Sequence, residues 1–160
     1  EYMARPNEEK SLIIIKPDTL QRNLVGEIIS RFERKGLKII GMKMMTVEDA
    51  VLKEHYAHIA DKPFFPGILN YMKTCPVIVM AVSGINAISA IRLIVGPTRG
   101  YEADAGSIRG DFSMSAQSNL VHASDSLEAG ENEIKRFFKS EELFSYGKID
   151  TDLIYSEHKD

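Results

Sequence analysis

The sequence predicts an α+β fold with the strand order βαββαβ and a helical hairpin inserted in its middle. Three observations carry this: short β-branched apolar runs bounded by Pro or Gly, amphipathic runs at helical spacing between them, and their alternation along one chain of 160 residues. Leu12-Ile13-Ile14-Ile15 is the first strand, and Pro17 halts it directly after Lys16. Lys16 therefore stands at a strand end. From Leu24 to Lys35, Val25, Ile28, Ile29 and Phe32 recur at helical spacing, with Arg31, Glu33, Arg34 and Lys35 on the wet side and Gly36 as the stop. Leu37 to Met45 is the second strand.

Val47 to Ala60 and Pro63 to Lys73 read as two helical pieces split by the Asp61-Lys62-Pro63 turn, and Thr74-Cys75-Pro76 breaks the chain before the third strand, Val77 to Val82. Asn86 is the expected cap of a helix whose apolar face is Ala87, Ile88, Ile91, Ile94 and Val95, ended by Gly96-Pro97. That face leaves Arg92 free to reach a ligand. Pro97 to Asp111 contains Gly100, Gly106 and Gly110 without periodicity, so it reads as a long loop of the kind that usually serves function. Leu120 to His122 is the fourth strand, and Ser124-Asp125 opens a last helix that runs to about Phe138 and packs through Leu127, Ile134, Phe137 and Phe138. Glu141 to Asp160 is mixed. This order is that of a ferredoxin-like sandwich, an antiparallel four-stranded sheet with helices on its faces. It forms a single domain over residues 11–160, after a flexible segment at residues 1–10.

Composition narrows the function classes. With 44% hydrophobic and 27% charged residues the chain is ordinary globular material, which excludes disorder and fibre. Twenty Lys and Arg against 23 Asp and Glu leave a net charge of −3, so no nucleic acid is expected as the main partner. The longest apolar runs fall far short of the ~20 residues that span a bilayer, which points to a soluble protein with no membrane partner. Cys75 is the single cysteine and reads as a small packing residue; with no disulfide possible within the chain and no secretory signal at the N-terminus, the cytoplasm is the expected location. Neither Gly-x-Gly-x-x-Gly nor Gly-x-x-x-x-Gly-Lys-Ser/Thr occurs, which argues against a P-loop mechanism.

Four histidines are candidates for chemistry. His55 and His58 stand beside Glu54, but Glu-His-x-x-His lacks the His-Glu-x-x-His order and a third ligand, so metal binding there is disfavoured. His158 lies in a charged tail and reads as solvated. His122 closes an apolar strand and is followed by the small residues Ala123 and Ser124. Taken alone, it reads as a structural histidine, and Lys16, Arg92 and Arg109 as solvated charges. Together, a histidine with cations at separate element ends, plus Thr98 and loop glycine amides, suggests phosphate chemistry.

These residues coincide with a known pattern. Over Ser11 to about Tyr155 the chain resembles the nucleoside diphosphate kinases, through Ile15-Lys16-Pro17-Asp18 with Gln21-Arg22, Lys53-Glu54-His55-Tyr56, Pro63-Phe64-Phe65-x-Gly67 and Ile108-Arg109-Gly110-Asp111-Phe112. Asn119-Leu120-Val121-His122-Ala123-Ser124-Asp125-Ser126 resembles the family's phosphohistidine signature. The resemblance implies that His122 takes a γ-phosphoryl group from ATP or another nucleoside triphosphate and passes it to a diphosphate by a ping-pong route. It implies that Glu133 holds the other ring nitrogen with support from Ser124, that Lys16 touches ribose and transferring phosphate, and that Tyr56 meets the phosphate near His122. Arg92, Thr98 and Arg109 would meet the β and γ phosphates, Asn119 the sugar, and Phe64 would stack on the base. Mg²⁺ is expected on the phosphates, with Asp125 as an outer contact through water, and the assembly as a homo-oligomer built from dimers, a hexamer or tetramer.

Three features depart from the family pattern: Ala116 where a bulky aliphatic is usual, Leu153 in place of Trp, and a loop from Thr98 to Gly106 of the family's length but with none of its usual prolines after Pro97. The last leads to the expectation that Gly100→Pro stabilises the oligomer. The competing reading is a non-catalytic nucleotide-sensing module of the same fold. Such a module would need neither His122 nor Glu133.

Overall fold

The computed structural model describes Arg5 and residues 7–158, apart from the side chain of His158. The expectations for residues 1–4 and for a solvated His158 lie outside the described residues. β1 spans Glu8–Ile15, α1 Pro17–Gln21, α2 Val25–Lys35 and β2 Lys38–Met45. The inserted hairpin is α3, Asp49–His55, and α4, Phe65–Met72; then come β3, Val77–Ile85, α5, Ala87–Val95, and α6, Ile108–Phe112. β4 is Val121–Ala123, α7 Leu127–Phe137 and α8 Thr151–Ile154. The four strands form one sheet in the order β2-β3-β1-β4, and every neighbouring pair is antiparallel. The ferredoxin-like expectation is met.

Both faces of the sheet are covered, which explains why its strands read as continuous apolar runs rather than as alternation. Ile13 and Ile15 of β1 enter one cluster with Ile28 and Phe32 of α2 and Ile91 and Val95 of α5. Leu12 and Ile14, pointing the other way, join Leu52 of α3, Met72 of α4, and Ile134 and Phe137 of α7. β1, flanked by β3 and β4, is the axis of both layers.

Several details differ from the sequence reading. The first strand takes in Glu8–Lys10, which the reading assigns to the leading segment; they pair with Ser83–Ile85 of β3. The Glu9 carboxylate accepts from the Ile88 amide at 2.9 Å and so caps α5, whereas Asn86 makes no side-chain cap and sits in the left-handed region at φ 57. The stretch read as loop carries α6, capped by Ser107, whose hydroxyl accepts from the Gly110 amide. Ser126 rather than Ser124 caps α7, and Leu127 is exposed. Gly100 is buried, and a Cβ there would overlap the carbonyl oxygen of Ser113. A proline at residue 100 therefore overlaps the backbone, so the expected stabilisation by Gly100→Pro is withdrawn.

Candidate active site

Register decides which way His122 faces. His122 lies opposite Ile14, and directly opposed residues of an antiparallel pair share a face. Its side chain therefore enters the layer of α3, α4 and α7, while Val121 and Ala123 enter the other. The residue that delivers the chain to this edge strand, Leu120, is fully buried at φ 75. Three bonds hold it there: its amide donates to Asp18 Oδ2 at 3.1 Å, and its carbonyl accepts from the Lys16 amide at 2.9 Å and from Thr19 Oγ1 at 2.6 Å. The Tyr71 hydroxyl donates to the other Asp18 oxygen.

Nε2 of His122 lies 2.7 Å from Glu133 Oε1, which also accepts from Ser124 Oγ at 2.8 Å. Ser124 is itself oriented, since its oxygen accepts from the Leu12 amide at 2.9 Å. Burial works to raise the Glu133 pKa, and the hydrogen bonds from His122 and Ser124 outweigh it, so the carboxyl is held below its ordinary range. An ionised carboxylate only accepts. The His122 proton therefore sits on Nε2, and Nδ1 carries the free lone pair. Burial pushes the His122 pKa down, the Glu133 bond opposes this, and Lys16 and Arg109 add to the lowering. The ring is neutral at pH 7.

Against this ring stands His55, 7% exposed, with its centroid 4.5 Å away and edge-to-face. Arg136 Nη1 approaches His55 Nδ1 at 3.0 Å, while burial, then His122 and Arg136, drive the His55 pKa to about 2. The donor atoms of His55, His122 and Glu133 lie within 4.8 Å of one another, the nearest approach to a metal-ligand cluster among the described residues. His122 and Glu133 are already bonded to each other and His55 to Arg136. His58 is exposed and lies outside this cluster.

The cations converge on the same place. Lys16 is 9% exposed, donates to Asn119 Oδ1 at 2.7 Å, and has its pKa lowered to about 7 by burial and then by Arg109, with Asp18 opposing. Asn119 is locked in turn, its amide donating to the carbonyls of Thr98 at 3.0 Å and Ala116 at 2.9 Å. Arg109 is 4% exposed and its guanidinium donates to the carbonyls of Asn119, Gly96 and Val121 at 3.1, 2.9 and 2.5 Å. Two of its five N–H groups remain for a ligand. Arg92 is half-buried, Thr98 is exposed, and Tyr56 is a neutral phenol whose pKa burial, then Glu133, raises to about 12.

A cleft of about 850 Å³ gathers these groups, within the range of small-molecule sites. Lys16, Tyr56, Phe64, Arg92, Thr98, Arg109, Asn119, His122, Asp125 and Glu133 all line it; Ser124, fully buried, acts from behind Glu133. Phe64 is 56% exposed, as a stacking platform requires, and Ala116 and Gln117 also border the cleft. The Gln117 amide donates to the Gly67 carbonyl at 3.1 Å and so ties the loop before β4 to α4. Asp125 is exposed on the wall. A hard carboxylate oxygen there, with Glu133 already held by its two donors, fits a hydrated divalent ion on a phosphate. Asp18 and His55 stand in the motifs that carry the resemblance but receive no role from it, and Gln117 and Arg136 lie outside every motif. Arg136 was legible in principle, because its i,i+3 spacing from Glu133 puts both on one helix face.

The chain is similar to known proteins over most of its length. A family model described as nucleoside diphosphate kinase matches residues 9–143. A nucleoside diphosphate kinase of Parabacteroides distasonis is 55% identical over 138 residues, covering 86% of this chain and 90% of that protein. Nucleoside diphosphate kinase B of Mus musculus is 44% identical over 149 residues, covering 93% and 98%. Among solved structures, a halophilic nucleoside diphosphate kinase from Halobacterium salinarum in complex with CDP superposes with a TM-score of 0.90 at 37% identity, covering 92% of this chain and 99% of that one. With the family's pattern found over most of the chain and its fold reproduced, the chain belongs to the nucleoside diphosphate kinase family.

Proposed function

We propose that this enzyme moves the γ-phosphoryl group of a nucleoside triphosphate to a nucleoside diphosphate through a phosphohistidine on Nδ1 of His122. The observation that carries the reading is the Nε2 contact to Glu133, which leaves Nδ1 as the nucleophilic atom of a neutral ring in the cleft. In the first half, the Nδ1–P bond forms as the bond from γ-phosphorus to the β–γ bridging oxygen breaks, and the diphosphate leaves. Positive charge develops on the ring, and Glu133 offsets it across the Nε2–H bond. In the second half, a β-phosphate oxygen of the acceptor attacks phosphorus and Nδ1 regains its lone pair. Lys16, Arg92 and Arg109 match the charge of the transferring group, Thr98 and Tyr56 supply hydroxyl donors, and Asn119 keeps Lys16 in place beside the sugar.

Phe64 offers one face of the base site, and stacking on it favours no particular base. Ala116 leaves the opposite wall shallow. Mg²⁺ is the expected companion of the nucleotide; it would neutralise phosphate charge, with Asp125 taking one of its waters. The reading includes a single domain whose first strand begins at Glu8, a cytoplasmic enzyme, and a homo-oligomer built from dimers. Support for the last comes from β2, an edge strand whose Met42 and Met44 are 45% and 61% exposed. No helix among the described residues is long and apolar enough to cross a membrane.

Incubation with γ-labelled ATP tests the mechanism. The label should be acid-labile, base-stable and located on His122, and His122→Ala should lose several orders of magnitude in turnover while nucleotide affinity stays within about tenfold. Label that resists acid, or undiminished transfer by His122→Ala, would refute it.

A further inference from the structure

Arg136 lies one turn beyond Glu133 on α7, and the transfer scheme gives it no task. Its Nη1 is 3.0 Å from His55 Nδ1 and its Nε is 3.2 Å from Glu54 Oε1. The geometry of the first contact has a strict consequence. A guanidinium has only protons to offer, so Nδ1 of His55 must accept and the imidazole proton must sit on Nε2. An imidazolium would set one N–H against another, so the same contact keeps His55 neutral. The ring is buried, with Tyr56 and Phe137 edge-on at 4.8 and 5.3 Å and the His122 ring edge-to-face at 4.5 Å.

His122 by itself is under-determined. One hydrogen bond to Glu133 fixes Nε2 but leaves the imidazole free to pivot about that bond, and a pivot swings Nδ1 out of line with the phosphorus–oxygen bond it must displace. His55 blocks the pivot only if its own plane is fixed, which a ring with an unsatisfied buried Nδ1 would not be.

We propose that Arg136 is a positioning residue for phosphoryl transfer: by holding His55 in one tautomer and one plane, it holds the His122 ring aligned for attack. This rests on His122 being the nucleophile. The Glu54 carboxylate lies 3.2 Å from the Arg136 Nε as a charge contact without a hydrogen bond, while Arg136, His55, His122 and Glu133 form one continuous chain around the reacting ring.

Nitrogen NMR of the labelled wild-type protein reads the tautomer directly. His55 should show a protonated Nε2 and a bare Nδ1, unchanged between about pH 6 and 8. A His55 protonated on Nδ1 would overturn the proposal. In single-turnover reactions with ATP, Arg136→Leu should form phosphoenzyme about tenfold more slowly or worse, as a small misalignment does, with nucleotide affinity within about twofold. Arg136→Lys, which keeps a cationic donor, should recover part of the loss. Full speed in Arg136→Leu would show that Arg136 only ties α3 to α7. If Arg136→Leu fails to fold, the wild-type tautomer and the rate of Arg136→Lys decide. A wild-type protein that takes no label on His122 refutes the transfer reading together with this role, whereas a labelled wild type with an indifferent Arg136 refutes this role alone.

Discussion

Two lysines are buried at opposite ends of the sheet, and they are in different situations. Lys38, at the start of β2, is 8% exposed; its Nζ lies 3.4 Å from Glu8 Oε1 and donates to the Tyr146 carbonyl at 3.0 Å. Lys16, just past the end of β1, is 9% exposed, donates to the neutral amide of Asn119, and forms no ion pair among the described residues. One carries its counter-ion within the fold. The other is a buried amine with a pKa near 7, whose charged form lacks a counter-ion within the fold, and with Arg109 and Arg92 beside it the fitting arrival is a polyanion such as a nucleotide's phosphates.

The contrast is broken most directly by deleting each charge. Lys16→Met should lower kcat by about 10²–10³, the usual effect of removing one preorganised charge from a transition state, while urea unfolding shows no loss of stability because an unpaired buried charge has gone. Lys38→Met should do the reverse, removing the Lys38–Glu8 ion pair and destabilising the fold by about 3 kcal/mol in urea, with transfer by the folded fraction unchanged. Loss of stability in the first variant, or of turnover in the second, would mean that the two ends are not specialised.

A smaller effect concerns the histidines at the Lys16 end. His55 has a folded pKa of about 2 against an ordinary value of 6.5, so in the window between them the unfolded chain binds the extra proton and stability is lost as pH falls below 6.5. The slope attributable to His55 is about 1.4 kcal/mol per pH unit, and His55→Gln should remove that much from the pH dependence of urea unfolding. An equally steep acid limb in the variant would place the proton uptake elsewhere. The smallest effect is at Lys16 itself. With its pKa near 7 in the free enzyme and raised by bound phosphates, nucleotide binding at pH 7 should take up about half a proton, read by calorimetry in buffers of different ionisation enthalpy. Zero uptake would mean that Lys16 is already charged before the nucleotide binds.

How much of this was legible beforehand follows from what each feature depends on. Leu12 to Ile15 and Ile28 with Phe32 announce themselves because burial on a face imposes a period that neighbouring residues must obey. Glu8 and Glu9 gave no such signal. Their places depend on Lys38, Ser83 and the Ile88 amide, at least thirty residues away in sequence, so locally they read as a charged tail. α6 was hidden by its five residues and by Gly110 within it. In the site, motif resemblance brought together Lys16, Asn119, His122 and Glu133 before any coordinates, and all four line one cleft. Spacing within α7 puts Arg136 on the face of Glu133, but its contact with His55 depends on the packing of α3 against α7, which no spacing within either helix encodes. Gly100 is the sharpest lesson: judged as a flexible loop residue it invited a proline, yet its lack of a side chain serves the close approach of Ser113.

Leu120 has a consequence for how the enzyme comes into being. A buried leucine at positive φ is a costly backbone state, of order 1–3 kcal/mol, that persists only while its surroundings enforce it. The enforcing bonds, from Asp18 and Thr19, span 102 and 101 residues, and the Lys16–Asn119 bond spans 103. Each closes a loop through most of the chain, a slow kind of contact to form. A nascent chain emerging from its N-terminus can assemble β1, β2 and β3 with their helices while the last strand is still unmade. The pocket therefore completes late in folding, and a truncated or partly folded chain that keeps most of its sheet lacks the docked strand that carries His122.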